Sequence, residues 1–304
     1  METVSAIDHR NPSGKFRRVK GGLDNAVKQA NERNLNEFQI IDTDCHQEEP
    51  FNYFLQYMSP EMQEIAKQKY ATPDPEADPR LALADYQGDG GLRELGGRIR
   101  RPELGRTPMK PEVLIDTFAS RMQDIGIKHC VVLPTFMLSL GFDTRKEFEV
   151  AMSSAYIQYM KDNFLGKYPE ILSMVYAPAN SPEKAAELIH TYGSAKGVVG
   201  IMISTGRSTS NLAGNDSWLP IYEAAEAKNL PICFHANPYE GAPFDGLGKF
   251  VSVHALSFPF YLILQLTSVV MSGMVERFPK VRFCFMEGGV SWIPWIMHRL
   301  DTEY

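Results

Sequence analysis

An α/β fold built on a parallel sheet is what this sequence predicts, and three features predict it. From Phe38 onward, short β-branched or aromatic runs alternate with helical patterns, the runs close on polar residues, and helix-opening and helix-closing residues punctuate the intervals. The strand runs are residues 38–44, 128–133, 171–177, 198–204, 231–235 and 281–287. Strands and helices in alternation imply right-handed βαβ units. A closed barrel and an open doubly wound sheet share that pattern, so spacing alone leaves both open. The glycine-rich dinucleotide turn is absent after the first strand, which counts against the doubly wound alternative.

The helical stretches follow in order. Residues 110–124 stop at Gly126, and residues 145–163 are followed by Gly166. Ser181 and Pro182 form an N-cap and first-turn pair opening a helix that runs to Tyr192. Asn215, Asp216 or Ser217 can cap the next helix, which closes at Lys228 and Asn229. Residues 1–36 form a polar N-terminal extension with an FRRVK cluster and a short helix over 23–34, read as an arm used in association. The main domain is residues 37–304. Within it, residues 47–109 break the rhythm with Pro and Gly clusters, the run GDGGLRELGGRIRRPE and an amphipathic piece near 60–70. An insertion at the carboxyl end of a barrel strand would cover the active face, so this segment reads as a lid.

Bulk properties narrow the function. Apolar residues at 44% and charged residues at 22% are ordinary for a globular domain, and a net charge of −6 argues against a nucleic-acid partner. The first residues, METVSAIDHRNPSGKFRRVKGG, lack the apolar core of a secretory signal. The most apolar stretch, 258–274, is interrupted by Gln265, Thr267, Ser268 and Ser272, and suits a helix packed on a sheet better than a membrane span. Cys45, Cys130, Cys233 and Cys284 fall on separate strand runs at uneven spacing, which reads as buried free thiols in a reducing compartment. The expected location is the cytoplasm.

The residues able to carry chemistry sit at strand ends. In IIDTDCHQEEP, Asp44 and His46 share a strand face while Cys45 points away, so both can reach one metal ion. In LPICFHANP, His235 closes an apolar run before a turn; in VRFCFMEGGVSW, Glu287 does the same before two glycines. Alone, the Asp-x-His pair is explained equally well by a solvated turn with a structural histidine, and His235 better by a satisfied core residue. A carboxylate closing a buried run is costly unless paired or metal-bound, and three strand ends presenting such groups at matching positions point to a shared ion. His254, opening the long apolar helix, is a candidate second-metal ligand or supporting group, or simply a polar helix-start residue. His129, His190, His298 and His9 read as structural or peripheral, and Trp218, Trp292 and Trp295 as packing residues. Arg98, Arg100 and Arg101 in the lid can grip a substrate carboxylate, though a solvated basic cluster accounts for them as well.

With these residues in hand, the chain resembles the amidohydrolase-related branch of the amidohydrolase superfamily. That branch includes aminocarboxymuconate-semialdehyde decarboxylase and the resorcylate-type decarboxylases. The likeness spans roughly residues 38–304 and rests on IIDTDCH, GVVGIMIS, WLPIYEAAEAKNLPICFHANP and GMVERFPKVRFCFMEGGVSWIPWIMHRLDTEY together. It implies a (β/α)8 TIM barrel with one or two divalent ions, zinc first, iron or manganese as alternatives. By position, Asp44 and His46 match the first-strand metal pair, often His-x-His in relatives, and His235 matches the fifth-strand ligand. Glu287 stands where many relatives carry a water-activating histidine, and becomes a ligand or general base, with His254 assisting.

Only six of the eight barrel strands are recognisable in this register. The seventh strand, and the eighth with the family's aspartate, have no later segment to supply them. The resulting expectation is a metal-dependent hydrolase or decarboxylase acting on a small carboxylated substrate, with an aromatic ring as one option. The alternatives are a dinuclear iron or manganese oxygenase component, or a non-catalytic subunit. A homo- or hetero-oligomer with a related barrel subunit is the expected assembly.

Overall fold

The computed structural model describes residues 22–47, 51–70, 122–142, 145–205, 212–237, 242–244 and 246–303. Six strands carry the fold: β1 Ile40–Gln47, β2 Ile127–Pro134, β3 Ile171–Tyr176, β4 Val198–Ser204, β5 Ile232–His235 and β6 Phe283–Met286. They lie in one sheet in the order β1-β2-β3-β4-β5-β6, each neighbour parallel. A doubly wound sheet reverses its strand order at a switch point, so an unbroken sequential order decides for barrel-type winding. The sheet is a curled part-barrel of the TIM type.

Helices cover the convex face. They are α1 Gly22–Glu32, α2 Phe51–Phe54, α3 Pro60–Tyr70, α4 Lys146–Asn163, α5 Pro182–Tyr192, α6 Leu219–Lys228, α7 Phe250–Met271, α8 Met274–Arg277 and α9 Trp292–Glu303. α4 packs on β3, α5 packs beside α6, and α7 lies against β5 and α9. Outward residues of β5 and β6 build an aromatic layer in which Phe234 meets Trp218, Phe283 and Phe285, and Phe285 meets Trp292. Phe234 and Trp218 are buried, and that burial fixes β5 in depth and rotation.

Several expectations shift in detail. Ser181 sits at the N-cap with Pro182 following, but the cap is made by its backbone carbonyl to Ala185 N–H, without a side-chain bond. Asn215 precedes a 3-10 turn, Asp216–Trp218, before α6 begins, and Asn229 closes α6 in the left-handed conformation at φ 53°. The apolar helix is longer than its sequence run: α7 has 22 residues and contains Pro259. By length and composition α7 could cross a membrane; here it packs on β5, α8 and α9.

Part of the segment 47–109 is described. α2 and α3 pack on α4, in the outer helical layer, because Phe54 and Ala66 are buried in the main core and Phe54 meets Tyr156 and Tyr159 of α4. The remainder of the segment, 71–109, lies outside the described residues.

Candidate metal centre

Four side chains from three sites along the chain converge at the carboxyl ends of the strands. Asp44 and His46 end β1, His235 ends β5, and Glu287 follows β6. Their ligand atoms all lie within 4.8 Å of one another. His46 Nε2 is 2.8 Å from His235 Nε2, and Asp44 Oδ1 is 3.3 Å from the first and 3.4 Å from the second. Glu287 Oε1 and Oε2 stand 3.8 Å from His46 Nε2 and His235 Nε2 respectively. In a flat sheet, strands four apart would be separated by about 19 Å. Curling brings β1 back across the mouth to meet β5.

Local backbone devices aim these groups. On β1, Asp42 pairs with Cys130 and Cys45 with Val132, so three steps on β1 face two on β2. The extra residue is a β-bulge beside Asp44, a device that re-aims side chains. Asp42 holds it, its Oδ1 accepting the Asp44 N–H at 3.0 Å. On β5 the placement is regular. His235 is fully buried; its Nδ1 lies 2.6 Å from the Ala236 carbonyl, which fixes Nδ1–H as donor and turns the Nε2 lone pair to the centre. Its own carbonyl accepts from Thr205 N–H at 2.9 Å and Thr205 Oγ1 at 3.0 Å. His46 Nδ1 faces Thr135 Oγ1 at 3.4 Å, leaving its Nε2 for the same centre.

Glu287 is reached differently. Its φ is +66°, a left-handed backbone for a non-glycine residue, and the chain turns away through Gly288 and Gly289. Such a conformation costs on the order of 1 kcal/mol and collects at functional sites. A Cβ on Gly288 would stand 2.4 Å from Leu262 Cδ1 of α7, so a larger residue there requires that side chain to shift.

The electrostatics call for a cation. Two imidazole Nε2 atoms 2.8 Å apart repel as bare lone pairs, and are compatible only with a proton or a positive ion between them. Asp44 Oδ1 is buried without a well-formed hydrogen bond. Burial alone would push the Asp44 carboxyl up, but its contacts with the His235 and His46 rings outweigh this and hold it well below the usual carboxylate range. An orphaned buried carboxylate oxygen, two Nε2 lone pairs and a second carboxylate fit a divalent ion.

His254 does not join the four. It lines an adjoining pocket of about 540 Å³ with Ala255, Phe258, Pro259, Glu287, Gly288 and Gly289, so Glu287 belongs to both cluster and pocket. Its ring stacks obliquely on Phe258 at 4.1 Å. Arg98, Arg100, Arg101 and His9 lie outside the described residues. His129 on β2, His190 on α5 and His298 on α9 stand apart from the centre. Trp218 and Trp292 are packed, whereas Trp295 is 57% exposed, a correction to its reading as a packing residue. The thiols need a correction too. Cys130 and Cys233 are buried, Cys45 is half-buried and Cys284 is exposed, since β6 is the outermost strand of the described sheet.

Asp42, Thr135 and Thr205 are the supporting residues that sequence reasoning missed. Asp42 had a visible signal in the Asp-x-Asp-x-His run; Thr135 and Thr205 directly follow strands β2 and β4, where polar residues are too common to single out.

Fold and site together define a part-barrel with a candidate metal centre at its carboxyl mouth. The sequence profile described as amidohydrolase matches residues 41–303, and the chain belongs to that family. It is 21% identical over 206 residues to 2-amino-3-carboxymuconate-6-semialdehyde decarboxylase of Dictyostelium discoideum, covering 66% of this chain and 54% of that one. The chain thus spans about half the length of this curated relative. Among solved structures it is similar to an amidohydrolase from Mycobacterium avium subsp. paratuberculosis, at TM-score 0.61 and 15% identity, covering 88% of this chain and 77% of that one. It is also similar to 5-carboxyvanillate decarboxylase of Novosphingobium aromaticivorans with bound manganese, at TM-score 0.59 and 16% identity, covering 88% and 71%. These structural likenesses establish the fold.

Proposed function

We propose that the chain carries the divalent-metal centre of a hydrolase or carboxy-lyase acting on a small carboxylated aromatic substrate. The observation that carries this reading is the meeting of Asp44, His46, His235 and Glu287 within 4.8 Å at one mouth of the sheet. Two imidazoles and two carboxylates suit zinc, iron(II) or manganese(II). A bound divalent ion supplies Lewis acidity, polarising substrate oxygens and lowering the pKa of bound water toward about 7.

The chain's own groups divide the remaining work. Asp44, kept ionised by its two imidazole neighbours, contributes charge balance beside the histidines. His235, locked through Nδ1, presents Nε2 in one orientation. Glu287 faces both the cluster and the pocket, so it is the group placed to accept a proton from substrate or water. His254 and Phe258 form a pocket wall with an aromatic surface and a hydrogen-bonding edge, suited to a planar ring bearing a carboxylate. The names of two relatives, both decarboxylases, support a small carboxylated substrate, and the second name is that of an aromatic one.

Elemental analysis and divalent-ion titration of the purified chain test the proposal, followed by a screen of hydroxybenzoate and muconate carboxylates for CO2 release or hydrolysis. One equivalent of ion, lost in Asp44→Ala and His235→Ala, is the expected result. Folded protein that binds no divalent ion overturns it, and two equivalents with substrate-dependent oxygen uptake would favour a dinuclear oxygenase instead.

A further inference from the structure

Burial fixes where the His235 ring lies, and not which of its nitrogens faces the cluster, because an imidazole turned half-way about its own bond fills nearly the same space. That choice is made by a hydrogen bond. Nδ1 lies 2.6 Å from the Ala236 carbonyl, one residue past the end of β5. On the β4 side the ladder closes at the His235 carbonyl, which accepts from Thr205. On the β6 side it closes with a 3.3 Å bond from the Ala236 N–H to Met286. The Ala236 carbonyl stands beyond both, and a planar peptide turns as a unit, so its direction depends on how residue 237 is held.

Asn237 is 5% exposed, and its Nδ2–H donates to the Leu138 carbonyl at 2.6 Å. Ser204 Oγ, on the residue paired with His235 across β4 and β5, donates to the same carbonyl at 2.6 Å. A carbonyl oxygen has two lone pairs, and two donors make this one a fixed point. Leu138 belongs to the 3-10 segment Phe136–Phe142, which follows β2 and buries Met137 and Leu140 in the core. Its N–H bonds back to the Thr135 carbonyl at 3.3 Å, closing a turn over 135–138. Thr135 Oγ1 is the group that faces His46 Nδ1. The outer nitrogens of both imidazoles are therefore tied to one short turn: His46 at Thr135, His235 by way of Ala236, Asn237 and Leu138.

We infer that Asn237 is a positioning residue of the candidate metal centre. Anchored on the Leu138 carbonyl, it sets the peptide that orients His235, and together with Thr135 it turns both Nε2 atoms to the common point. A tether serving the fold alone would hold residues 136–142 in place and leave the His235 ring indifferent to its loss. The consequence for ion affinity rests on the metal-centre reading proposed above; the consequence for the ring does not, since the chain orients it without an ion.

Two measurements on the full chain with isotope-labelled histidines test this. In the ion-free parent, at a pH where imidazoles are neutral, the His235 nitrogen resonances should report one tautomer with Nδ1 protonated; their loss in His235→Ala identifies them. Asn237→Ala should average the two tautomers. Titration with Co2+, followed by calorimetry and visible absorption, should show about 10-fold weaker binding in Asn237→Ala and an altered spectrum. Adding Thr135→Val should then cost less than the product of the two separate losses, because both act through one turn. Ser204→Ala strips the other donor from the Leu138 carbonyl; it should move both readouts in the same direction, and replaces Asn237→Ala if that variant does not fold. An unchanged His235 tautomer in a folded Asn237→Ala chain, or affinity losses that multiply independently, would overturn the assignment. A parent chain that binds no Co2+, while Asn237→Ala still releases the His235 tautomer, would sink the metal-centre reading and support the positioning role.

Discussion

The two sides of the candidate metal centre are built by different means. His235 stands at the end of β5, an inner strand flanked by β4 and β6, where burial of its ring and of Phe234 beside it sets the position. Asp44 and Glu287 belong to the two outer strands of the described sheet, and single-residue devices place them: a bulge held by Asp42 for one, a left-handed backbone for the other. A ligand placed by packing is stable against small local change. A ligand placed by one hydrogen bond or one strained dihedral is not, and the two kinds should separate under mutation.

The largest effects belong to the packed side. Phe234→Ala should cost about 3–5 kcal/mol of stability in denaturant unfolding, and metal affinity should fall with it because His235 loses its fixed orientation. Next, Glu287→Gly should dissociate stability from binding. Relief of the φ +66° conformation is expected to raise stability by up to about 1 kcal/mol, while divalent-ion affinity falls. If both decline together, Glu287 is held by packing and the contrast between the two sides fails.

Smaller still, Asp42→Ala removes the oxygen that accepts the Asp44 N–H and should weaken metal binding by about 10-fold with little change in unfolding. Thr135→Val, which takes away the 3.4 Å contact to His46 Nδ1, should give the smallest change, a few-fold in calorimetric titration.

The same contrast explains what could be read from the sequence. Regular placement leaves a regular signature. Residues 198–204 coincide with β4 and 182–192 with α5, and the apolar run ending at His235 gave both β5 and its terminal side chain. The alternation giving six parallel strands was legible, but periodicity reports a strand's faces and not its neighbours, so their sequential order came from the resemblance to a barrel family. Convergence of Asp44, His46, His235 and Glu287 followed from strand ends facing one mouth. Irregular placement left no periodic trace. The bulge at Asp44, the dihedral of Glu287 and the contact of Thr135 all depend on register between strands. In 51–70 the amphipathic piece near 60–70 was legible, but the burial of Phe54 and Ala66 against α4 depends on tertiary packing that periodicity does not report.

X-ray absorption at the metal edge of the chain loaded with zinc or manganese asks most directly whether these four side chains share an ion. Two imidazole nitrogens and carboxylate oxygens at about 2.0–2.2 Å is the predicted spectrum. A shell of sulfur at about 2.3 Å, or an ion surrounded by water alone, would contradict the account and move the metal away from the strand ends.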